Sequence, residues 1–379
     1  MIINLTHKIQ IKFLFLKFFF DSSIQSDKNI SYINWRIKET ISNLTSKNTT
    51  KNTNSSKTFN WQKEIKNYVD PPSFWNPTLG LFFGGYFLAF LSIWQWYRGV
   101  WPLPLLVATA FLALHIEGTV IHDACHKAAH PVPWINQAMG HGSAILLGFS
   151  FPVFTRVHLQ HHIHVNHPKN DPDHIVSTFG PIWLIAPRFF YHEVFFFQRK
   201  LWRRYELLQW GIERSIFLTI ILAGLKFDFM NLIYNLWFGP ALMVGVTLGI
   251  FFDYLPHRPF RSRNKWINSR VYPSKFMNLL IMGQNYHLIH HLWPSIPWFE
   301  YKIAYEKTKP LLDKKGSPQR VGIFESKEDI FNFIYDLLIG VRSHSKKRGK
   351  IRKIINLYPG FKIKKFLLKI VNKTFIGSN

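Results

Sequence analysis

Two long apolar runs limit what this chain can fold into. Residues 80–96 are almost wholly apolar, and after a short turn a second apolar run covers residues 105–121. Each run is close to the ~20 residues that a helix needs to cross a bilayer. Aromatic residues cluster between Trp94 and Trp101, at the shared end of the two runs, as they do at membrane interfaces. The pattern predicts a transmembrane hairpin.

A second hairpin is expected further along. Residues 212–225 are apolar but short for a span, residues 226–231 make a polar turn, and residues 232–254 are long enough to cross. Residues 140–154 are apolar but short and rich in Gly and Pro, which favours a buried or re-entrant segment. The interrupted aromatic stretch 182–197 is expected to lie along the membrane interface.

The charge distribution orients these hairpins. The segment before the first hairpin and the chain after His257 are strongly basic, whereas both hairpin turns carry few charges. The positive-inside rule therefore places both termini on the cytosolic or stromal face. We expect an all-α integral membrane protein with about four transmembrane helices in two hairpins and a histidine-rich cap on that face.

Three regions follow from composition. Residues 1–75 form a polar, low-complexity extension, whose run 11–20 is either an interfacial anchor or targeting segment or an unconstrained stretch. Residues 76–340 form the membrane domain, which continues after the second hairpin into helices expected around residues 301–312 and 328–338. Residues 341–379 form a basic tail that either lies on the membrane or is solvated.

Composition also limits which binding partners are expected. The formal net charge is +26, and because the basic residues concentrate at the two ends of an apolar chain, anionic membrane lipids are favoured as the partner. The chain has no basic groove, RNP-like or zinc-finger pattern, so nucleic acid is not expected. Its single cysteine, Cys125, permits no internal disulfide and no cysteine-ligated iron–sulfur cluster. A redox site would therefore need electrons from another protein.

Histidines occur in three dense clusters. His158, His161 and His162 are spaced i, i+3 and i+4, which places them on one face of a helix. The same spacing recurs downstream, and a looser i, i+4 pair lies upstream. A ninth candidate, His257, stands where the last span ends. The complete set of candidate metal ligands is His122, His126, His158, His161, His162, His257, His287, His290 and His291.

Neutral imidazole is an excellent ligand for iron, zinc or copper. Eight or nine ligands exceed the four that one tetrahedral zinc uses and suit two metals with open positions. Nearby carboxylates are expected to orient histidine N–H groups rather than to bind metal, namely Asp123, Asp171, Asp173 and Asp253. Other histidines either assist the site or are ordinary interface residues, namely His115, His130, His164, His167 and His174. Cys125 is interpreted as a small buried helix residue.

The arrangement of these histidines resembles that of a known family. The three boxes, His-x-x-x-His followed by two copies of His-x-x-His-His, are similar to those of the membrane fatty-acid desaturase and hydroxylase superfamily of di-iron enzymes. The flanks His122–His130, Asn170–His174 and Asn285–Trp298 resemble the desaturase-like β-carotene hydroxylases of cyanobacteria and plastids. The likeness covers roughly residues 71–340. His257 takes the place of a ligand found outside the boxes in related enzymes.

The resemblance implies a centre of two iron ions, with O2 as co-substrate, in the histidine-rich cap. It implies hydroxylation of the β-ionone rings of β-carotene at C3, through β-cryptoxanthin to zeaxanthin, with the carotenoid entering from the bilayer. It further implies a ferredoxin-type electron donor and a plastid membrane (thylakoid or envelope) or a cyanobacterial membrane.

The sequence leaves other functions open, both among di-iron enzymes and among proteins that are not enzymes. A carotenoid ketolase or a fatty acyl desaturase would use the same iron centre, and the histidines do not distinguish them. A non-enzymatic membrane protein that binds haem or zinc is the alternative from another class. Haem ligation would require opposed single histidines on different spans, which tight His-x-x-His-His pairs do not provide.

Overall fold

The computed structural model describes Ile65 and residues 72–341, which form helices and loops without a strand. The predictions for the run 11–20 and for the basic tail lie outside these residues. The helices are α1 Pro77–Arg98, α2 Leu103–Cys125, α3 Pro133–Leu147, α4 Phe151–His164, α5 Pro172–Thr178, α6 Ile185–Arg188, α7 Tyr191–Gln198, α8 Arg204–Lys226, α9 Met230–His257, α10 Lys275–Leu280, α11 His287–Leu292, α12 Tyr301–Lys314 and α13 Lys327–Leu338. Short 3-10 turns precede α6, α11 and α12, at Ile182–Leu184, Gln284–Tyr286 and Trp298–Glu300.

Four described helices are long and apolar enough to cross a membrane, namely α1, α2, α8 and α9. They form the two predicted helical hairpins, α1–α2 and α8–α9. The expectation that the third span would be short is wrong, because α8 begins at Arg204 and is 23 residues long. Its polar first turns are stabilised by Glu206, which accepts hydrogen bonds from the Arg203 backbone and from the Arg156 side chain.

Helices α3 and α4 meet at a bend of 99° and together would make either one broken span or a re-entrant loop. Gly148 ends α3 in the left-handed conformation (φ 78°), which glycine adopts without strain. Pro152 then stands in the first turn of α4, where its missing N–H costs no helix hydrogen bond. This bend is consistent with the predicted re-entrant segment, and it aims α4 at the end of α2.

Helix α2 is the central element of the membrane part. It packs against α1, α3 and the middle of α9, and its second half is almost completely buried. Glycines permit these close approaches. A Cβ added to Gly85 of α1 would lie 2.2 Å from Glu117 Oε1, and one added to Gly118 would lie 2.9 Å from Leu248 of α9.

Helix α9 is 28 residues long and is not a uniform α-helix. It contains two π-helical turns, Tyr234–Phe238 and Gly249–Tyr254, and the second ends just before His257. Each π turn rotates the following side chains relative to a regular helix. The orientation of His257 therefore depends on both turns.

After α9 the chain forms short helices that cover the ends of the spans. The predicted helices around residues 301–312 and 328–338 are confirmed as α12 and α13. A buried cluster that includes Leu288, Ile289, Tyr301 and Leu312 packs α11 against α12. The third histidine cluster is thereby fixed on a hydrophobic base.

Candidate metal centre

All nine histidines of the predicted set converge at one end of the helix bundle. The last turn and cap of α2 supply His122 and His126, the C-terminal half of α4 supplies three, the end of α9 supplies His257, and α11 supplies three. Five of the nine residues are buried, four are partly buried, and none is exposed. Elements separated by more than 160 residues in the sequence therefore meet in one buried cluster.

Eight of these histidines form two groups in which one ring nitrogen of each residue lies within 4.8 Å of those of the others. We call them group 1, consisting of His122, His126, His158 and His290, and group 2, consisting of His161, His257, His287 and His291. The ninth residue, His162, lies between them. Its ring centroid is 4.6 Å from that of His290 in group 1 and 4.5 Å from that of His291 in group 2.

Within each group the Nε2 atoms face one another at short distance. His257 Nε2 lies 3.0 Å from His287 Nε2, which in turn lies 3.0 Å from His291 Nε2. His122 Nε2 lies 3.1 Å from His290 Nε2, and the latter is 2.8 Å from His162 Nε2. Two nitrogens bound about 2.1 Å from one metal at right angles would be about 3.0 Å apart. The spacing therefore matches neighbouring ligands of a metal ion.

Several Nδ1 atoms, including those of His161, His257 and His287 in group 2, point outward to protein oxygen atoms. His161 Nδ1–H donates to Asp171 Oδ1 at 2.8 Å, and His257 Nδ1–H donates to the Asn268 carbonyl at 3.2 Å. A neutral imidazole with its proton on Nδ1 has a bare lone pair on Nε2. Bare lone pairs that converge in a buried space repel one another unless a cation lies among them. The donor set of group 2 therefore fits a metal ion.

The protonation state of the three histidines of α11 is also the one that metal binding requires. Burial, reinforced by the neighbouring imidazoles, lowers the pKa of His287, His290 and His291 well below the usual 6.5. These side chains are consequently neutral at physiological pH, as a metal ligand must be. In group 1, His126 Nε2 is buried and has no hydrogen-bond partner among the described residues.

Two of the four predicted carboxylates orient histidines. Asp171 accepts from His161 and also from the backbone N–H groups of Asn166, Asp173 and His174, so its position is fixed. Asp173 Oδ2 lies 3.5 Å from His161 Nδ1 and 3.9 Å from His158 Nδ1. His161, Asp171 and Asp173 could also hold a cation by themselves. Asp171 is already saturated by backbone donors, which favours the orienting role.

The expectation that Asp123 orients a histidine is wrong, and within residues 72–341 Asp253 makes no hydrogen bond to a histidine. Asp123 Oδ2 accepts from Thr78 Oγ1 at 3.0 Å and from the Trp298 N–H at 3.3 Å, whereas Oδ1 lies 4.0 Å from His122 Nδ1. This carboxylate therefore joins the start of α1 to the chain after the third cluster. Asp123 directly follows His122 in the sequence, but consecutive residues of a helix point to different faces, so the two side chains diverge.

The remaining histidines lie outside both groups in the part of the chain that the structure describes. His115 Nε2 lies 2.9 Å from the Leu280 carbonyl, and His130 Nδ1 accepts from the Val132 N–H at 3.0 Å. His167 Nδ1 accepts from two backbone N–H groups, and His174 contacts the Phe260 ring. His164 and His167 have ring centroids 6.2 Å apart. Cys125 is buried and its thiol donates to the His122 carbonyl, as expected of a small buried helix residue.

A cavity adjoins the histidines on the membrane side. Its apolar wall consists of Ile121, Leu147, Phe149, Phe154, Phe189, Leu248 and Phe252. Its polar wall includes His122, His158, His161 and His287, one or more from each cluster. An apolar molecule in this cavity would lie directly against the centre.

Several residues that contact the candidate ligands or the carboxylates that orient them were not identified from the sequence. His192 Nε2 lies 3.0 Å from Asp173 Oδ1, and the Tyr301 hydroxyl lies 3.0 Å from His290 Nδ1. Gln284 Oε1 lies 3.3 Å from His287 Nδ1. Only Gln284 carried a signal, since it stands three residues before His287 and could share its face. The other two are brought in by tertiary packing.

The fold and the site together define a helical membrane protein with a buried polyhistidine centre. A model of the family described as fatty acid desaturase matches residues 94–322, which is more than half of the chain. The protein belongs to the fatty acid desaturase family. Membership makes it a membrane enzyme of an oxidase-type family, whose histidine centres hold two iron ions, and the clustered histidines described above could bind metal in the same way.

Individual relatives are similar over most of their own length. A β-carotene ketolase from a Paracoccus strain is 29% identical over 240 residues, which cover 60% of this chain and 90% of the relative. A β-carotene ketolase from a second Paracoccus strain is 28% identical over 218 residues, covering 55% and 82%. An sn-1 oleoyl-lipid 12-desaturase from Picosynechococcus is 25% identical over 258 residues, covering 58% and 72%.

Proposed function

We propose that this enzyme uses O2 to oxidise the β-ionone ring of a carotenoid, and that the reaction is hydroxylation at C3, which converts β-carotene through β-cryptoxanthin to zeaxanthin. The observation that carries the proposal is the apolar, phenylalanine-lined cavity that ends on the histidine groups. We propose that a ring without polar groups enters this cavity from the bilayer and presents one C–H bond to the centre.

The nine histidines are proposed to hold two iron ions, one in group 1 and one in group 2, with His162 placed to serve either. Iron bound there would supply the redox chemistry needed to reduce dioxygen and to oxidise an unactivated C–H bond. The protein keeps the three α11 histidines neutral and holds other ligands in the required orientation. Asp171 holds the proton on Nδ1 of His161, and the Asn268 carbonyl does so for His257.

The cavity wall is proposed to select and orient the ring. Phe149 and Phe154 flank the bend and the start of α4, whereas Phe189 and Phe252 come from α6–α7 and α9. These side chains exclude water from the reacting face of the ring. The polar lining, which includes Asp173 and Asp253, lies with the histidines in the same cavity.

Electrons are proposed to come from a ferredoxin-type protein, because the single cysteine excludes an internal cysteine-ligated iron–sulfur cluster. The net charge of +26 would attract an acidic donor to the basic face. The proposed location is a plastid membrane or a cyanobacterial membrane, where such donors and carotenoids occur together.

Ketolation is the second candidate, and the names of the two Paracoccus relatives favour it. It would place the same centre against the neighbouring ring carbon. Desaturation of an acyl chain is the third candidate, since one relative is named as an oleoyl-lipid desaturase. All three reactions require the same ligand set and differ in which C–H bond the cavity presents.

The deciding experiment is pigment analysis in bacteria that accumulate β-carotene and express this protein with a ferredoxin reduction system. We expect β-cryptoxanthin and zeaxanthin, and none of either with the matched variant His291→Ala. Keto-carotenoids alone would replace hydroxylation by ketolation. Unchanged pigments with altered acyl chains would refute carotenoid oxidation. Metal analysis of the purified protein should find iron, and zinc with full activity would refute the di-iron assignment.

A further inference from the structure

One apolar element lies outside the four spans and outside the metal centre. Residues 272–285, which we call the 272–285 loop, connect the chain after α9 to the third histidine cluster and contain α10. Lys275 is the only charged residue between Tyr272 and Asn285. Three large apolar side chains of α10 are exposed, namely Phe276 at 71%, Leu279 at 81% and Leu280 at 46%.

The 272–285 loop is an ordered excursion that leaves and returns at one place. The Tyr272 N–H donates to the Asn285 carbonyl at 2.8 Å, and the Asn285 side-chain amide donates back to the Tyr272 carbonyl at 3.3 Å. Ser274 caps the start of α10 by accepting from the Met277 N–H. The return leg is buried at Ile281 and Met282. The exposed side chains are therefore confined to the projecting helix.

The end of α10 is attached to a membrane-spanning helix. His115 Nε2 of α2 lies 2.9 Å from the Leu280 carbonyl, which its N–H would satisfy. The Ile281 and Gly283 N–H groups satisfy the Met277 and Asn278 carbonyls, so the bond from His115 serves the Leu280 carbonyl at the end of the helix, where an unpaired carbonyl is costly if water is absent. The imidazole ring of His115 is itself held by stacking on Phe111.

The attachment point fixes the depth of α10. At 1.5 Å per residue, His115 lies about 15 Å along α2 from its end at Cys125. A helix of 23 residues, such as α2, is about 35 Å long, whereas the hydrocarbon core is about 30 Å thick. His115 is therefore within the hydrocarbon core, and the Leu280 carbonyl is at the same level.

We propose that the 272–285 loop is inserted into the bilayer from the histidine-bearing face, and that Phe276, Leu279 and Leu280 contact lipid acyl chains. Lys275, at the start of α10, reaches back to the head groups along its aliphatic stem. The third histidine cluster is thus anchored to the membrane on its N-terminal side. The inference does not depend on the metal or on the reaction that the enzyme catalyses.

Depth-dependent fluorescence quenching tests this insertion. The native Cys125 is buried, so Leu279→Cys in the otherwise unchanged full chain can carry a single environment-sensitive label, and unmodified protein gives the background. In vesicles, we expect nitroxide-labelled lipid acyl chains to quench the label at position 279 and iodide in the water to leave it bright. Two further positions serve as controls. A label at Leu222→Cys in span α8 should also be quenched by the nitroxide-labelled acyl chains, whereas a label at Ile303→Cys on the lysine-rich helix α12 should be quenched by iodide.

Quenching of position 279 by iodide would overturn the proposal, because the loop would then face water. Quenching by neither agent would also overturn it, because the side chain would be covered by protein, such as a second copy of the chain. Phe276→Cys provides an independent position if Leu279→Cys does not insert. Pigment conversion is measured separately, so failure of the proposed reaction and failure of the insertion are distinguishable.

Discussion

At His257 the two ring nitrogens have different surroundings. Nδ1 donates to the Asn268 carbonyl, and Nε2 lies 3.0 Å from His287 Nε2. The residue stands outside the three sequence clusters, and it was predicted from its position after the last span and from the family resemblance. It is buried and its ring contacts those of three other histidines, as the rings of the box residues contact one another.

We predict that His257→Ala lowers the iron content of the purified protein by about half or more and lowers pigment conversion at least tenfold. Removing the ring leaves group 2 with three nitrogens. Iron per polypeptide is measured by elemental analysis. His167→Ala is the matched control, because that ring lies outside both groups and should leave the iron content unchanged. Full iron loading of His257→Ala would remove it from the ligand set.

Asp171 acts through His161. We predict that Asp171→Asn weakens iron binding about 10- to 100-fold, because an amide orients and polarises the imidazole less well than a carboxylate. The measurement is the rate and extent of iron loss to a chelator. Asn170→Ala changes the neighbouring residue without touching a histidine of either group and should behave as the unmodified protein. Equal retention of iron in Asp171→Asn would contradict the orienting role.

Among the secondary-structure elements, the bend between α3 and α4 directs three histidines. Gly140 of α3 packs against Phe151 at the start of α4, and an added Cβ would lie 2.2 Å from the Phe151 ring. Phe151 is buried, so the ring has little room to move.

We predict that Gly140→Ala destabilises the protein by about 1–3 kcal/mol through overpacking at the bend. The apparent Tm in detergent should fall, and pigment conversion should fall with it, because α4 moves relative to α2. Gly211→Ala is the control, since nothing lies within 4 Å of its added Cβ on α8. That change should be neutral or stabilise by up to about 1 kcal/mol through helix propensity. A Tm for Gly140→Ala at or above that of Gly211→Ala would refute the packing argument.

Element boundaries show where sequence reasoning reaches its limit. The apolar runs predicted both hairpins, but the start of α8 was missed because hydropathy counts Arg204 and Glu206 as polar, whereas Glu206 is paired with Arg156. The π turns in α9 have no marker in the hydrophobic pattern. The second lies where Gly249 of α9 packs closely against Ile185.

On the scale of the whole molecule, the two hairpins require an even number of crossings between the first and third histidine clusters. Their turns should therefore lie on the membrane face opposite the histidines. Val100 lies in the first turn and Asp228 in the second, whereas Lys302 lies on α12 beside the centre.

We predict that cysteines placed at positions 100 and 228 react with an impermeant maleimide from one side of a sealed vesicle, and that a cysteine at position 302 reacts only from the other side. The native cysteine is buried and gives little background. Labelling of positions 100 and 228 from opposite sides would mean an odd number of crossings between them and would refute the two-hairpin topology.

The sequence by itself determined the class of fold and the candidate ligands, because bilayer thickness sets the length of an apolar run and helix periodicity sets which histidines share a face. The family resemblance followed from the same residues. Tertiary structure alone decided how the histidines divide into two groups, that Tyr301 contacts His290, and that His192 contacts Asp173. These features depend on contacts between helices distant in the chain, and no local pattern encodes such contacts.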